Sequence, residues 1–184
     1  MLGCGCAGRA MSSPPTTVAT AQTLTRYFVE NQDCAAVSRT DLPVIDIAIS
    51  QAGTTQTIRA EVASTVEEKQ QGLMCRDRLA PGTGMLFTYE TPSNGGYWMF
   101  NTYVPLDILY IAENGAVISV ASMAPCPRST GENQQRWRDR CASASADYRP
   151  SGPYIAALEL PAGWLRSNGF TTSDAGTLNV DWVR

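Results

Sequence analysis

The sequence predicts a mainly β protein, namely a compact antiparallel β-sheet or barrel-like domain with one or two short helices and an extended N-terminal arm. Two observations indicate the sheet. Apolar and polar residues alternate from residue 44 onward, which is typical of strands with one buried face. Turn-forming Gly and Asn residues separate the apolar runs. A third observation indicates the arm: residues 1–42 are rich in Ala, Ser, Thr, Pro and Gly and show no sustained period.

Length and composition favour one folded domain. The chain has 184 residues and is 43% apolar, which is enough to bury a core. We divide it into the arm, residues 1–42, and a β-rich domain, residues 43–184. A polar stretch at about 124–153 interrupts the strand pattern of this domain. Because long loops inside compact domains are usually functional or cross-linked, we expect this insertion to be pinned.

The first elements of the domain have the clearest local signals. Apolar residues alternate at 45–49 and again at 58–62, with a turn at 51–54 between them, which predicts a hairpin. Thr65 and Glu68 then have the spacing of a capping box, in which each side chain accepts from the backbone N–H of the other residue. A helix of about two turns should follow and should end near Gly72, which can adopt a left-handed conformation.

Further strands are expected along the rest of the chain, and we predict that they form an antiparallel meander. The Asn114-Gly115 pair is a strong tight-turn signal between two of them, because this pair readily supplies two positive φ angles. The expected strands are 84–89, 97–101, 106–111, 116–120, 154–160 and 177–182.

Charge and residue types exclude several function classes. The net charge is −3, with no basic stripe for phosphate backbones, so a nucleic-acid partner is not expected. The chain contains no histidine, which excludes Ser-His-Asp and Cys-His catalysis and His-containing metal sites. No metal and no cofactor are predicted. No run of 18 apolar residues exists, so any membrane association should be peripheral or should depend on an attached lipid.

The six cysteines suggest an oxidising compartment. We expect a disulfide between Cys126 and Cys141 that closes the insertion. Cys34 and Cys75 form a second, weaker pair, and the alternative for them is two buried free thiols. Residues 1–4 look like the end of a lipoprotein cleavage site, with Cys4 as the lipidation candidate. The expected location is therefore extracytoplasmic, in the periplasm, with a possible membrane tether.

Six short motifs together resemble one bacterial and archaeal family, the domain of unknown function 192. They are residues 65–68, 72–76, 84–87, 97–102, 104–111 and 157–163. The resemblance extends from about Val44 to Val180. It implies a compact, mostly β domain with one or two short helices, and many members carry secretion signals. It implies no catalytic residues. Phe100 occupies a position that is often basic in the family, which weakens charge-based ligand binding.

Asp107 is a candidate for a partly buried carboxylate, with Arg76 as its expected bidentate partner. The alternatives are a structural ion pair or a ligand-facing polar cluster. That cluster would contain Glu61, Arg76, Asn101, Thr102 and Asp107. Glu159 could add a further acid for glycoside hydrolysis, which needs two carboxyl groups. Strand alternation, however, would turn Glu159 outward to solvent.

Aromatic residues supply candidate contact surfaces. Trp98 and Tyr103 belong to an aromatic cluster that could stack on a sugar, receive a partner side chain or form ordinary core. Trp137 lies among Arg and Gln residues in the insertion, so it is the best candidate for an intermolecular contact.

These observations favour a non-catalytic extracytoplasmic binding or scaffolding module. Its expected partners are other protein subunits, and the concrete form is an accessory subunit of a membrane-associated complex, such as a respiratory or photosynthetic complex. The alternative is a soluble protein that binds carbohydrate or another small ligand, with a pocket lined by Trp98, Arg76 and Asp107. A carboxylate-dependent hydrolase is the remaining alternative.

Overall fold

The computed structural model describes Met1, residues 28–37 and residues 41–183. Most of the predicted arm and the proposed lipid attachment at Cys4 lie outside the described residues. The strands are Val44–Gln51 (β1), Thr54–Ala63 (β2), Thr83–Ser93 (β3), Leu106–Ile111 (β4), Val117–Met123 (β5), Tyr154–Pro161 (β6) and Asn179–Trp182 (β7). The helices are Val66–Gln71 (α1), Gln134–Ala144 (α2) and Trp164–Ser167 (α3), with 3-10 turns at Gln32–Cys34, Ser145–Tyr148 and Ala175–Thr177. The predicted mainly β class is confirmed.

The locally encoded elements form as predicted. β1 and β2 make an antiparallel hairpin, with Gln51 opposite Thr54 beside the turn. Thr65 caps α1, because its hydroxyl accepts from the Glu68 N–H at 3.2 Å and the Glu68 carboxylate accepts from the Thr65 N–H at 2.9 Å. Gly72 ends the helix with a φ of 47°. These two signals depend only on residues close together in the chain.

The strand order differs from the predicted meander. The seven strands form one sheet in the order β5-β4-β6-β3-β2-β1-β7. β3 runs parallel to β2, because α1 and the loop after it return the chain to the end of the sheet where β2 began. β6 then pairs with both β3 and β4, so it lies between two strands that precede it. All other neighbouring pairs are antiparallel.

The predicted strand at 97–101 does not form. Phe100 makes a single bridge to Cys126, and Asn101 has a φ of 54°, which lies outside the strand region. The segment instead crosses one face of the sheet, where Met99 and Phe100 are buried. Its apolar character reflects packing on the sheet and not pairing within it.

The sheet curls into a half-barrel whose end strands meet near Gly115. The N–H of Val117 donates to Leu178 and that of Val180 donates to Gly115, at 3.0 and 2.8 Å. Gly115 has a φ of 84°, and a Cβ at this position would lie 2.7 Å from the carbonyl oxygen of Val180. Glycine is therefore required here by both backbone conformation and space.

Both faces of the sheet are buried over β4, β6 and the first half of β3. The concave face carries an aliphatic core that includes Ile47, Ile58, Leu109 and Leu158. The convex face is covered by the 97–102 segment and by α2, and its core is rich in aromatic residues such as Phe87, Tyr110 and Trp137. Polar residues within these three strand segments are therefore buried, whereas β1, β5 and β7 keep one side partly open to solvent.

Candidate functional site

Arg76 pairs with Glu61 and not with Asp107 as the sequence suggested. Its two terminal nitrogens donate to the two carboxylate oxygens at 3.0 and 2.7 Å, and both side chains are buried. This is the bidentate geometry expected of guanidinium and carboxylate. Glu61 lies on the convex face of β2, so the ion pair sits beneath the loop that follows α1.

Asp107 lies on the opposite face of the sheet, because it alternates with Leu106 and Ile108 of the convex core. Its carboxylate accepts from the Ser122 hydroxyl at 2.6 Å and from the Gly163 N–H at 2.7 Å. These bonds join β4, β5 and the residue before α3. Asp107 is therefore a structural residue, and the predicted polar cluster does not assemble as one group.

Glu159 is buried, which corrects the expectation that it faces solvent. It is 4% exposed and lies on the convex face of β6. Along one row of the sheet, Glu61 is opposite Met85 and Met85 is opposite Glu159. Burial raises the pKa of the Glu159 carboxyl to about 8, and the positive charge of Arg76 partly opposes this. Strand alternation placed Glu159 on the correct face, but that face is covered.

Glu159 forms the floor of a narrow cleft, which we call the Glu159 cleft. The cleft opens between α1 and the 97–102 segment and has a volume of about 40 Å³. Phe87, Tyr97 and Trp98 supply aromatic walls, and the buried Thr102 lines it as well. Trp98 is 37% exposed, so it can be reached from solvent. Two residues that the sequence singled out, Thr102 and Trp98, therefore lie beside Glu159, which the sequence had predicted to face solvent.

Asn101 and Tyr103 fasten the segment at 28–37 to the domain. The Asn101 amide donates to the Asp33 carbonyl and to the Cys75 sulfur, both at 3.1 Å. Tyr103 accepts from the Asn31 amide at 2.8 Å. Cys34 and Cys75 form a disulfide, which replaces the alternative of two free thiols. These contacts attach the 28–37 segment to the β-rich domain, so the residues that make them have a structural role.

Trp137 is 1% exposed, so the prediction that it makes an intermolecular contact is wrong. Its indole N–H donates to the Cys126 carbonyl at 2.9 Å, and its ring lies 4.2 Å from that of Phe100. α2 folds back over the convex face, and the predicted Cys126–Cys141 disulfide joins this helix to the chain that precedes it. Two of the neighbouring arginines border this contact: the Arg138 guanidinium lies 4.7 Å from the centre of the Phe100 ring, and Arg140 donates to the Cys126 sulfur at 3.0 Å.

The two disulfides indicate an oxidising, extracytoplasmic environment. In the ranges 28–37 and 41–183, no helix combines the length and the apolar character needed to cross a bilayer.

A larger cavity lies at one open end of the half-barrel, on the concave face, and we call it the barrel-mouth cavity. Its volume is about 570 Å³. The start of β1 and the ends of β2 and β7 reach this same end of the sheet, since antiparallel neighbours alternate in direction. The apolar lining residues are Pro43, Ile45, Val62, Leu86, Ile155, Trp182 and Val183, and the polar ones are Thr88, Tyr89, Glu90 and Glu113.

Sequence reasoning missed this cavity. Each of its apolar residues fits an ordinary strand pattern, and no local signal distinguishes a core position from a cavity wall. Ile45, Val62 and Ile155 are only half-buried, whereas Ile47 and Ile58, deeper in the barrel, are fully buried. The loss of burial toward the end of the barrel is the structural sign of the cavity.

Comparisons with known proteins find a matching family and solved structures with a similar fold. The sequence model of the family called domain of unknown function 192, described as uncharacterized ACR, matches residues 47–177. A crystal structure from Sinorhizobium meliloti 1021, described as a "putative transcription regulator", is 25% identical, with a TM-score of 0.61 over 79% of this chain and 98% of that one. A protein of unknown function from Novosphingobium aromaticivorans DSM 12444 is also 25% identical, with a TM-score of 0.61 over 77% and 86%. No curated protein sequence matches significantly.

Proposed function

Because the chain belongs to the domain of unknown function 192 family, whose description assigns no activity, we propose from its geometry that it is a non-catalytic binding module. Its ligand is a small, uncharged and mainly apolar molecule. The ligand occupies the barrel-mouth cavity. The observation that supports this most directly is the size and lining of that cavity.

A volume of about 570 Å³ falls within the usual range for small-molecule sites. Such sites are mostly apolar and have a few polar groups that orient the ligand, and they occur in the mouths of β-barrels. Here seven apolar residues line the cavity and four polar residues accompany them. Burying Ile45, Val62 and Ile155 against a ligand would remove their remaining apolar surface from water, which is favourable.

The charge of the lining selects the ligand class. Glu90 and Glu113 are the charged residues among the described lining positions, and none of these positions is Lys or Arg. A fatty acid or a phosphate ester would therefore find no basic lining residue with which to pair its negative charge. An uncharged ligand needs no such partner, and the Thr88 hydroxyl can hydrogen-bond its polar end.

We prefer a binding role to hydrolysis because Glu61 and Asp107 already make structural contacts. Glu61 is held by Arg76, and Asp107 is held by Ser122 and Gly163 on the other face of the sheet. Glycoside hydrolysis needs two carboxyl groups on either side of one bond. The Glu159 cleft, at about 40 Å³, is far too small for a sugar.

We propose that the module acts in the periplasm, and its two disulfides, which persist in oxidising compartments, support this location. Protein subunits as partners, and the accessory-subunit role, stay predictions: the arm and Cys4 lie outside the described residues, and Trp137 is buried. A nucleic-acid partner, which the description of the Sinorhizobium structure would suggest, does not form part of the proposal because the net charge is −3.

Fluorescence binding with N-phenyl-1-naphthylamine, a neutral apolar probe, tests this proposal. We expect saturable binding at one site. Val62→Trp should fill the cavity and lower the affinity at least about ten-fold, the usual order of effect when a well-packed contact is lost. Val66→Trp is the matched control, because Val66 is 61% exposed on α1.

Circular dichroism establishes that each variant is folded. Trp182→Phe gives a second readout, because Trp182 lines the cavity and should transfer excitation energy to a bound probe. The proposal fails if neutral apolar probes show no saturable binding. It also fails if folded Val62→Trp binds as tightly as the Val66→Trp control.

A further inference from the structure

Among the residues that the structure describes, none donates a hydrogen bond to the Glu159 carboxyl, although the residue is only 4% exposed. What remains exposed lines the Glu159 cleft. Buried polar groups nearly always have a hydrogen-bond partner, and leaving one without a partner is unfavourable. The missing donor is therefore expected to come from a molecule that enters the cleft.

The charges around this carboxyl favour a cation. Arg76 uses both terminal nitrogens for Glu61, and its buried Nε has no acceptor within the described ranges. When Glu159 is ionised, the group of Glu61, Arg76 and Glu159 therefore carries a net charge of −1. Lys69 lines the entrance, but its ammonium donates to the carbonyls of Ser64 and Thr88 at 2.5 and 2.9 Å.

The walls of the cleft suit an organic cation. Phe87 and Tyr97 pack edge to face with ring centroids 5.0 Å apart. Trp98 stands at the solvent side, where its ring stacks on Phe100 and lies 5.9 Å from the Arg138 guanidinium. Aromatic faces attract ammonium groups through their π electrons. A cleft of about 40 Å³ holds roughly three water-sized centres. That space admits an ammonium group with its first carbon, whereas a trimethylammonium group is too large.

We propose that the Glu159 cleft binds a primary alkylammonium group, with the Glu159 carboxylate as its ionic partner and Phe87, Tyr97 and Trp98 as its walls. This site is distinct from the barrel-mouth cavity, because the two lie on opposite faces of the sheet. The same group occurs on free alkylamines and on lysine side chains, so both sources share this chemistry.

Binding of the cation should be coupled to release of a proton. The groups that face Glu159 are Arg76, Tyr97, Tyr110 and, through Arg76, Glu61, with Lys69 at the entrance. Burial raises the pKa of the Glu159 carboxyl to about 8, so it is mostly protonated at pH 7. An alkylammonium ion, with a pKa near 10.4, stays charged at pH 9. Its affinity should therefore be about ten-fold higher at pH 9 than at pH 7.

The test is an NMR titration of the protein with n-butylammonium chloride, followed through the indole N–H of Trp98. We expect saturable binding, with a dissociation constant on the order of 1 mM at pH 9. The carboxyl ¹³C shift of Glu159 should show that saturating amine lowers its pKa. Glu159→Gln should weaken binding at least about ten-fold at pH 9 and remove the pH dependence. Glu67→Gln, at an exposed position of α1, should change neither.

The uncharged n-butanol and the larger tetramethylammonium ion should bind much more weakly than n-butylammonium. A short peptide with one lysine, compared with its ε-acetylated form, shows whether the cleft also accepts a lysine side chain. Binding of the free amine alone assigns the site to small amines. The proposal is overturned if n-butylammonium does not saturate at pH 9, if the wild-type affinity is the same at pH 7 and 9, or if n-butanol binds equally well. Because the wild-type pH dependence needs no variant, a misfolded Glu159→Gln protein would not leave the question open.

Discussion

Glu159 gives the sharpest test of the buried polar architecture. In the folded protein, burial raises the pKa of this carboxyl from its ordinary value of 4.5 to about 8. The native state therefore binds a proton more tightly than the unfolded chain does. The stabilisation that this proton provides is fully present below about pH 4.5 and is lost as the pH rises through about 8. Glu159→Gln keeps the shape of the side chain and removes its titration.

The magnitude follows from the two pKa values. Each pH unit between them corresponds to about 1.4 kcal/mol, so the whole interval is worth at most about 5 kcal/mol. We expect the free energy of unfolding of wild type, relative to Glu159→Gln, to fall by several kcal/mol between pH 5 and pH 9. Relaxation of the site and entry of water through the cleft would reduce this value below the upper bound.

Urea unfolding at five pH values from 5 to 9 measures this difference directly, because all other titrating groups are shared by the two proteins. Glu67→Gln serves as the control, since it removes the same charge at an exposed position. A wild-type minus Glu159→Gln difference that stays constant across this pH range would refute the reasoning. It would mean that Glu159 is ionised in the folded protein at all of these pH values.

Three further predictions concern stability. Gly115→Ala should lower the melting temperature more than Gly53→Ala. Both residues have a φ of 84°, but only at Gly115 would the new Cβ lie 2.7 Å from a carbonyl oxygen, that of Val180. Equal losses in the two variants would contradict the proposed barrel closure. Arg76→Met should cost about 3–5 kcal/mol by removing the bidentate guanidinium from the buried Glu61 carboxylate. Glu61→Leu combined with Arg76→Met should restore most of that loss in urea unfolding, and no restoration would show that the two residues are not coupled. Replacing both Cys126 and Cys141 by Ser should lower the free energy of unfolding by about 3 kcal/mol, because the disulfide closes a loop of 15 residues. If wild type were equally stable in reducing and oxidising buffer, that result would argue against the bond.

The parts of the fold that could be predicted from sequence are those set by neighbouring residues. The β1–β2 hairpin and the Thr65 cap depend on contacts within a few positions, so alternation and capping rules identified them. The parallel pairing of β2 with β3 depends on the path of the chain after α1, which no local pattern reports. The position of β6 between β3 and β4 is equally non-local.

The candidate site was harder to predict for the same reason. Trp137 stands among polar residues in the chain, yet α2 folds its one apolar side onto the convex face and buries it. Asp107 and Arg76 are compatible in charge, but strand alternation places Asp107 on the other face, so Glu61 becomes the partner. The residue types show which side chains can carry charge. Which of these side chains are buried together depends on the segments that pack on each face of the sheet.

We propose above that the barrel-mouth cavity holds a small, uncharged, mainly apolar ligand. Methyl NMR of the ¹³C-labelled protein with N-phenyl-1-naphthylamine tests it most directly. We expect shifts concentrated on the methyl groups of Ile45, Val62 and Ile155, which line the cavity, and little change at Leu73, which lies on the convex face. Shifts at Leu73 with none at those three residues, or no shifts at all at saturating probe, would contradict it.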